Sequence, residues 1–463
     1  MRFQYMIYMV LLLLASAVEA AGAKVVFLFI GDGMAQQQRL LAEEYQQKMA
    51  GTGLAINAMP YQAPTRTFSA SAHVTDSAAS GTAIACGEKT KNLCLGMDSA
   101  GTGKLTSVAK IAKARGRKVG IVTSVTINHA TPAAFYANQP SRSNYYEIGL
   151  DLIASGFDYF GGGGIAQHDN TKSTAYQGNL YDLAAKNGYA VISSQEDFAA
   201  LKPGAGKVLA RGADGALPYA INRAGNLSLA DFTRKGIELL DNPNGFFMMV
   251  EGGAIDNCGH NNDAGALLQE MLAFDEAVKV ALDFAEKHPG QVLVLVTGDH
   301  ETGGLTVGNK GIAFHDGLEL LQHQKRSTDN NVSTPCGTFM ERVKEANQDK
   351  PDFAIQDLLP ILADCYGLHT DLPDDNPMKL TAEEVKSIAE ALARHLDPKN
   401  KTKRTLQLAV QEVRDRKAGV TWATTGHTAI LVVTSAAGPG AEKVKGFIDN
   451  TDIATIIRAA LEE

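Results

Sequence analysis

Residues 24–34 read KVVFLFIGDGM. Six apolar residues stand in an unbroken row, rich in β-branched and aromatic side chains, and a Gly-Asp-Gly stop follows. A strand covered by helices on both faces reads this way, because neither face needs a polar residue; a half-exposed strand alternates. The pattern recurs in KVGIVTSV (118–125), GFFMMVEGG (245–253), QVLVLVTGD (291–299) and TAILVVTS (428–435). Between these runs, LTSVAKIAKARG (105–116) and GALLQEMLAFDEAVKVALDFAEKH (265–288) place apolar residues at helical spacing, and a last helix is expected from Asp449 to Leu461. Alternation of such strands and helices predicts an α/β fold, a doubly wound and mostly parallel central sheet with helices on both faces. Residues of about 305–425 differ: charge density rises, and LTAEEVKSIAEALARHL and TLQLAVQEVRDRKAG read as amphipathic surface helices. They predict a mainly helical insertion before the last strand.

The chain has 463 residues and a net charge of −8. That length suits one large domain with insertions or two smaller ones. The acidic balance lacks the basic footprint of a nucleic-acid binder, so no nucleic-acid partner is expected. At the N-terminus, Arg2 precedes the apolar run MIYMVLLLLASAV and small residues at Ala17, Ala20 and Ala23. A short positive region, a core too short for a bilayer and an Ala-x-Ala-like exit predict a signal peptide over residues 1–20. Residues 21–463 are then the exported domain, periplasmic or secreted, with no membrane span after cleavage. Export permits disulfides. Five cysteines leave at least one unpaired. Cys86–Cys94 and Cys336–Cys365 are the candidate pairs, with Cys258 left over.

Ligands of an open parallel sheet bind at the carboxyl ends of its strands. Asp32 follows the first run, Glu251, Asp256 and His260 follow the third, and Asp299 and His300 follow the fourth. Carboxylates gathered this way repel one another unless a cation joins them. Asp and His without Cys suit zinc with open positions, whereas carboxylate, hydroxyl and water suit magnesium. A second cluster, VTDSAASGTA (74–83), crowds Thr75, Asp76, Ser77 and Ser80 before small residues. It reads either as a capped helix start or as a nucleophile placed at a helix N-terminus, where the dipole favours anions. Residue chemistry alone does not choose among its hydroxyls.

Taken together and in order, GDGM (31–34), VTDSAASGTA (74–83), HATPAAFYANQPSR (129–142), EGGAIDNCGH (251–260), TGDHE (297–301) and TTGHTA (424–429) resemble the alkaline phosphatase family. The resemblance spans nearly all of the mature chain except the 305–425 insertion. It implies a broad phosphomonoesterase acting on small phosphate esters, with a phosphoserine intermediate at Ser77. It implies one zinc held by Asp256, His260 and His427, a second zinc held by Asp32, Asp299 and His300, and a third ion, usually Mg²⁺, held by Asp32, Thr131 and Glu251. Arg142 is the implied phosphate clamp, Asp76 its positioning partner, and a homodimer is allowed. Two positions depart from the family pattern: His129, where bacterial relatives often carry aspartate, and Asn257, where lysine or histidine is usual. The rival readings are a phosphodiesterase of the same superfamily and a non-catalytic metal or phosphate binder. The first often replaces the serine by threonine and lacks the arginine, and the second would lack a ligand or the nucleophile.

Overall fold

The computed structural model describes residues 22–308, 317–328, 337–348, 350, 352–400, 402 and 405–462. The expected signal peptide and Cys336 lie outside these residues. Fourteen strands are present among them: β1 Val25–Gly31, β2 Tyr61–Arg66, β3 Lys118–Thr123, β4 Tyr159–Gly162, β5 Tyr189–Ile192, β6 Lys207–Arg211, β7 Phe246–Gly252, β8 Val292–Gly298, β9 Glu301–Thr302, β10 Leu305–Val307, β11 Val420–Trp422, β12 His427–Thr428, β13 Val432–Ala437 and β14 Ile448–Asp449. Ten of them form one sheet in the order β14-β2-β13-β8-β1-β7-β3-β4-β6-β5. The run that opens the chain's first strand is the centre of this sheet, parallel to β7 on one side and β8 on the other. All seven residues of β1 are buried, as an unbroken apolar run requires. One face of the sheet packs under helices that include Ser77–Cys86 and Asn450–Glu462, the other under the long helix Ala264–Lys287.

The register positions the site. Gly31 of β1 lies beside Gly252 of β7 and Gly298 of β8, and Thr123 of β3 lies beside Glu251. Four parallel strands therefore end at one level, and Asp32, Glu251 and Asp299 stand side by side at that edge. Gly33, in the turn after β1, has φ +73°, and a Cβ there would lie 2.9 Å from both Asp256 Cα and Thr302 Oγ1. Only glycine allows the backbone this turn and this closeness. Its N–H donates to Asp299 Oδ1 at 3.0 Å.

Three features differ from the reading of the sequence. The last apolar run forms its sheet strand only from Val432, and β13 runs antiparallel to both β8 and β2. Apolarity marks burial and carries no direction; the chain first spends His427 and Thr428 on a separate ladder with Thr302 and Glu301. Strands β2, β4, β5 and β6 escaped notice because they are short, and β2 is half exposed and contains Pro64. Cys86 and Cys94 are free thiols, not a pair: Cys86 ends a helix with its side chain in the core. Cys258 and Cys365 are free as well.

The region 305–425 is helical through Phe339–Gln348, Ile355–Tyr366, Ala382–Leu396 and Thr405–Lys417, and these helices share a small core of their own. Its ends meet in the antiparallel pair β10–β11. A buried ion network ties it down: Arg414 donates to Asp263 Oδ1 at 3.1 Å, and also to Asp415 and Gln324. Removing one partner from a buried network strands the others' charges. Arg414→Met should therefore cost about 3–5 kcal/mol, read as a lowered denaturation midpoint with early proteolysis inside 337–417. A midpoint equal to that of the wild type would show that the network does not hold the insertion.

Candidate active site

Three imidazoles are oriented from behind. His260 Nδ1 donates to the Thr425 carbonyl at 2.7 Å, and His427 Nδ1 donates to the Thr75 carbonyl at 2.9 Å. The Thr302 hydroxyl donates to Asp256 and so accepts from His300 Nδ1 at 3.3 Å. Each ring thus carries its proton on Nδ1 and turns the Nε2 lone pair inward. The Nε2 atoms of His260 and His427 lie 3.2 Å apart. Asp256 closes on them at 3.2 and 3.6 Å. His300 Nε2 faces Asp299 Oδ2 at 3.2 Å and Asp32 Oδ1 at 3.4 Å. Acceptors converge on acceptors, an arrangement that is repulsive without a cation and fits one well.

Local structure explains each placement. Asp256 and His260 are four residues apart on the helix Ala254–Asn261, hence on one face. His427 arrives through the β9–β12 ladder, where buried Glu301 accepts from Gln38 Nε2 at 2.7 Å, from the Gly304 N–H and from the Thr428 hydroxyl. Glu251, the penultimate residue of β7, accepts from the Thr123 hydroxyl. Thr131 Oγ1 stands 3.4 Å from Asp32 Oδ2.

The electrostatics agree. Burial, and after it the neighbouring carboxylates, push Asp32 well above the usual carboxylate range. Burial does the same to Asp299. Burial also holds His300 well below the usual imidazole range, so its ring is neutral. Asp32 Oδ1, Asp299 Oδ2, Glu251 Oε1 and His129 Nδ1 are buried polar atoms with no hydrogen-bond partner. Such atoms are rare in native proteins, and one physical reason for keeping four together is an ion. Ligand atoms of Asp32, Asp299 and His300 lie within 4.8 Å of one another, as do those of Asp256, His300 and His427 and those of Asp32, His129 and Glu251.

His129 was noticed in the sequence only as a departure. The structure sets its Nδ1 4.0 Å from Asp32 and 3.9 Å from Glu251, too far for hydrogen bonds and suited to groups that share an ion. Thr302 and Thr123 were also missed. Hydroxyls that steer ligands leave no pattern in a sequence, because their value lies in one long-range contact.

The crowded hydroxyls now separate. Asp76 caps the helix Ser77–Cys86, its side chain accepting from Ala79 N–H at 3.0 Å. Thr75 bonds to the Asp76 carbonyl, and Ser80 donates to the Asp299 carbonyl at 2.6 Å and accepts from Asn450. Ser77 is the first residue of the helix, and its Oγ lies 3.2 Å from His300 Nε2. Arg142 donates to Asp76 Oδ2 at 3.0 Å and meets His129 Nε2 at 3.1 Å. One stretch therefore serves both as a capped helix start and as a mount for a hydroxyl aimed into the cluster.

Comparison with known proteins follows the same lines. The family model described as alkaline phosphatase matches residues 23–463. Alkaline phosphatase 3 of Bacillus subtilis is 32% identical over 454 residues, covering 95% of this chain and 89% of that protein. The crystal structure of a cold-active alkaline phosphatase from a psychrophilic Shewanella superposes with a TM-score of 0.79 at 29% identity, over 95% of this chain and 100% of that one. A histidine-to-aspartate variant of the alkaline phosphatase from TAB5, with magnesium in its M3 site, superposes with a TM-score of 0.67 at 26% identity, over 96% of this chain and 99% of that one. With its strand-end carboxylates, imidazoles and helix-mounted serine in one cluster, this chain belongs to the alkaline phosphatase family.

Proposed function

We propose that this chain, an alkaline phosphatase that hydrolyses phosphate monoesters, works through a phosphoserine at Ser77 in an exported, metal-loaded form. The observation that carries the reading is the aim of Ser77 Oγ at His300, within the converging acceptors and beside Arg142. Asp256, His260 and His427 would hold one zinc, and Asp32, Asp299 and His300 a second; neutral imidazole and carboxylate without thiolate suit that ion. Asp32, Thr131 and Glu251 would hold the third ion, whose identity turns on His129 beside them. When bound, these cations lower the pKa of a coordinated hydroxyl and neutralise charge on the phosphoryl group.

The chain's own residues do the rest. Ser77 Oγ forms a bond to phosphorus as the bond from phosphorus to the alcohol oxygen breaks, and the alcohol departs with a proton. Water then cleaves the Ser77 phosphoester, restoring the hydroxyl and releasing phosphate. Arg142, held by Asp76, offers a fork of N–H donors that matches two non-bridging oxygens. The start of the helix Ser77–Cys86 adds a positive field where negative charge gathers. Side-by-side turnover of an aryl phosphate and an aryl phosphodiester tests the reading. The monoester should be preferred by orders of magnitude, and a preference for the diester would overturn it.

Residues 1–20 would direct export, and 21–463 would form one catalytic unit with 305–425 inserted. Among the described residues no helix is long and apolar enough to cross a membrane.

His129 bears on the third ion. An imidazole adds no negative charge and offers nitrogen, which favours zinc over a hard cation. His129→Asp should raise magnesium content by about one ion per chain and increase magnesium dependence. Elemental analysis of both proteins after dialysis against mixed zinc and magnesium checks this; identical contents would remove His129 from the third site.

A further inference from the structure

Leu93 is folded against its own preference. Its φ is +69°, in the left-handed region where the Cβ of an ordinary residue crowds the backbone. Among the described residues the other non-glycines with positive φ are Gln167 and Asn262, and asparagine tolerates that region. The Leu93 side chain is 57% exposed, so burial does not offset the strain.

The backbone of Leu93 supplies the reason. Its N–H donates to Asp76 Oδ1 at 3.0 Å, and its carbonyl accepts from the Arg142 N–H at 2.8 Å. Arg142 Nη1 in turn donates to Asp76 Oδ2 at 3.0 Å. Residue 93 therefore closes a ring with these two residues, meeting one through its N–H and the other through its carbonyl. The flanking residues are fixed as well. Asn92 Oδ1 accepts from the Asp76 N–H at 3.2 Å, and Asn92 Nδ2 donates to the Val74 carbonyl at 3.0 Å. Leu95 exchanges two backbone hydrogen bonds with Gln139, at 3.0 and 2.8 Å. Residues 92–95 are thus pinned to the stretch before Ser77 on one side and to the stretch before Arg142 on the other. Strained backbone that its surroundings hold in place clusters at functional sites.

We propose that Leu93 is a positioning residue for phosphate binding: its left-handed backbone aligns Asp76 with Arg142, and phosphate affinity follows how readily residue 93 takes a positive φ. The inference rests on the reading of Arg142 as the phosphate clamp. When residue 93 leaves that region, its N–H and carbonyl no longer reach both partners together, and the guanidinium loses its alignment. Apparent affinity then falls with the aligned fraction, whereas turnover from the bound state, in which the alignment is restored, does not.

The probe is inorganic phosphate, read as its inhibition constant against an aryl phosphate with metal-loaded full-length protein. Leu93→Gly and Leu93→Asn differ in size and polarity but both tolerate a positive φ, and both should bind phosphate at least as tightly as the wild type. Leu93→Val keeps an apolar side chain but is β-branched, which disfavours that region. It should weaken phosphate binding and raise KM about fivefold, with kcat within about twofold of the wild type. Leu93→Thr, β-branched and polar, should do the same and serves if Leu93→Val fails to fold. A role confined to stability would lower the denaturation midpoint and leave the inhibition constants equal. A side chain that touched the ester would give the opposite order, with Leu93→Val nearest the wild type. Either result overturns the proposal. In Arg142→Ala, adding Leu93→Val should weaken phosphate binding no further, and a loss of about fivefold in that background too would also overturn it. Failure of the clamp reading is a separate result, in which Arg142→Ala alone binds phosphate as the wild type does.

Discussion

Ser77→Ala should lose turnover by about a thousandfold or more while keeping its fold and its metals. The methyl group fits where the hydroxymethyl stood, since Ser77 is almost fully buried at the first position of a helix whose cap is Asp76. The lost contact is a single hydrogen bond to His300, which is oriented independently by Thr302. Stability should therefore change by no more than about 1 kcal/mol, whereas the hydroxyl proposed to form the covalent bond is gone. The matching positive result is chemical. Acid quenching during turnover of a labelled ester should leave one labelled serine in the peptide spanning 74–83, at Ser77. Thr75 and Ser80 serve as internal controls, because both hydroxyls are committed to backbone carbonyls. Label on either would overturn the assignment.

Chelation of divalent metal should abolish turnover and lower the thermal midpoint by about 10 °C or more. A ligand present at about a thousandfold above its dissociation constant contributes about 4 kcal/mol per site, and three sites add. The chelated protein also keeps Asp32, Asp299, Asp256 and Glu251 buried at one point. Burial pushes Asp32 and Asp299 well above their unfolded values in that state. A carboxyl whose folded pKa is raised binds more protons folded than unfolded, so its contribution to stability falls as pH rises from about 4 upward. Metal binding has the opposite slope, because ions displace those protons. The gap between the midpoints of the loaded and chelated proteins should therefore widen from pH 5 to pH 8. A gap that narrows over this range would mean that the four carboxylates do not share ions.

The amino-acid sequence by itself determined the sheet's central strands and the edge where chemistry gathers. Unbroken apolar runs mark strands covered on both faces, and parallel strands share one carboxyl edge, so the polar residues that end the runs are brought together: Asp32, Glu251, Asp299 and His300. Direction and pairing were another matter. The antiparallel course of β13 follows from the connection that first carries His427 to Thr302, and an apolar pattern contains no sign for direction. Among Thr75, Ser77 and Ser80, residue chemistry left the choice open and the family resemblance pointed to Ser77. Only the folded chain shows the physical distinction, which lies in carbonyls and an imidazole more than two hundred residues away in two of the three cases. The orientation of the imidazoles was likewise decided by tertiary structure alone. His427 is turned by the carbonyl of Thr75 and His260 by that of Thr425, so each ring's lone pair is set by a backbone atom that no local spacing connects to it.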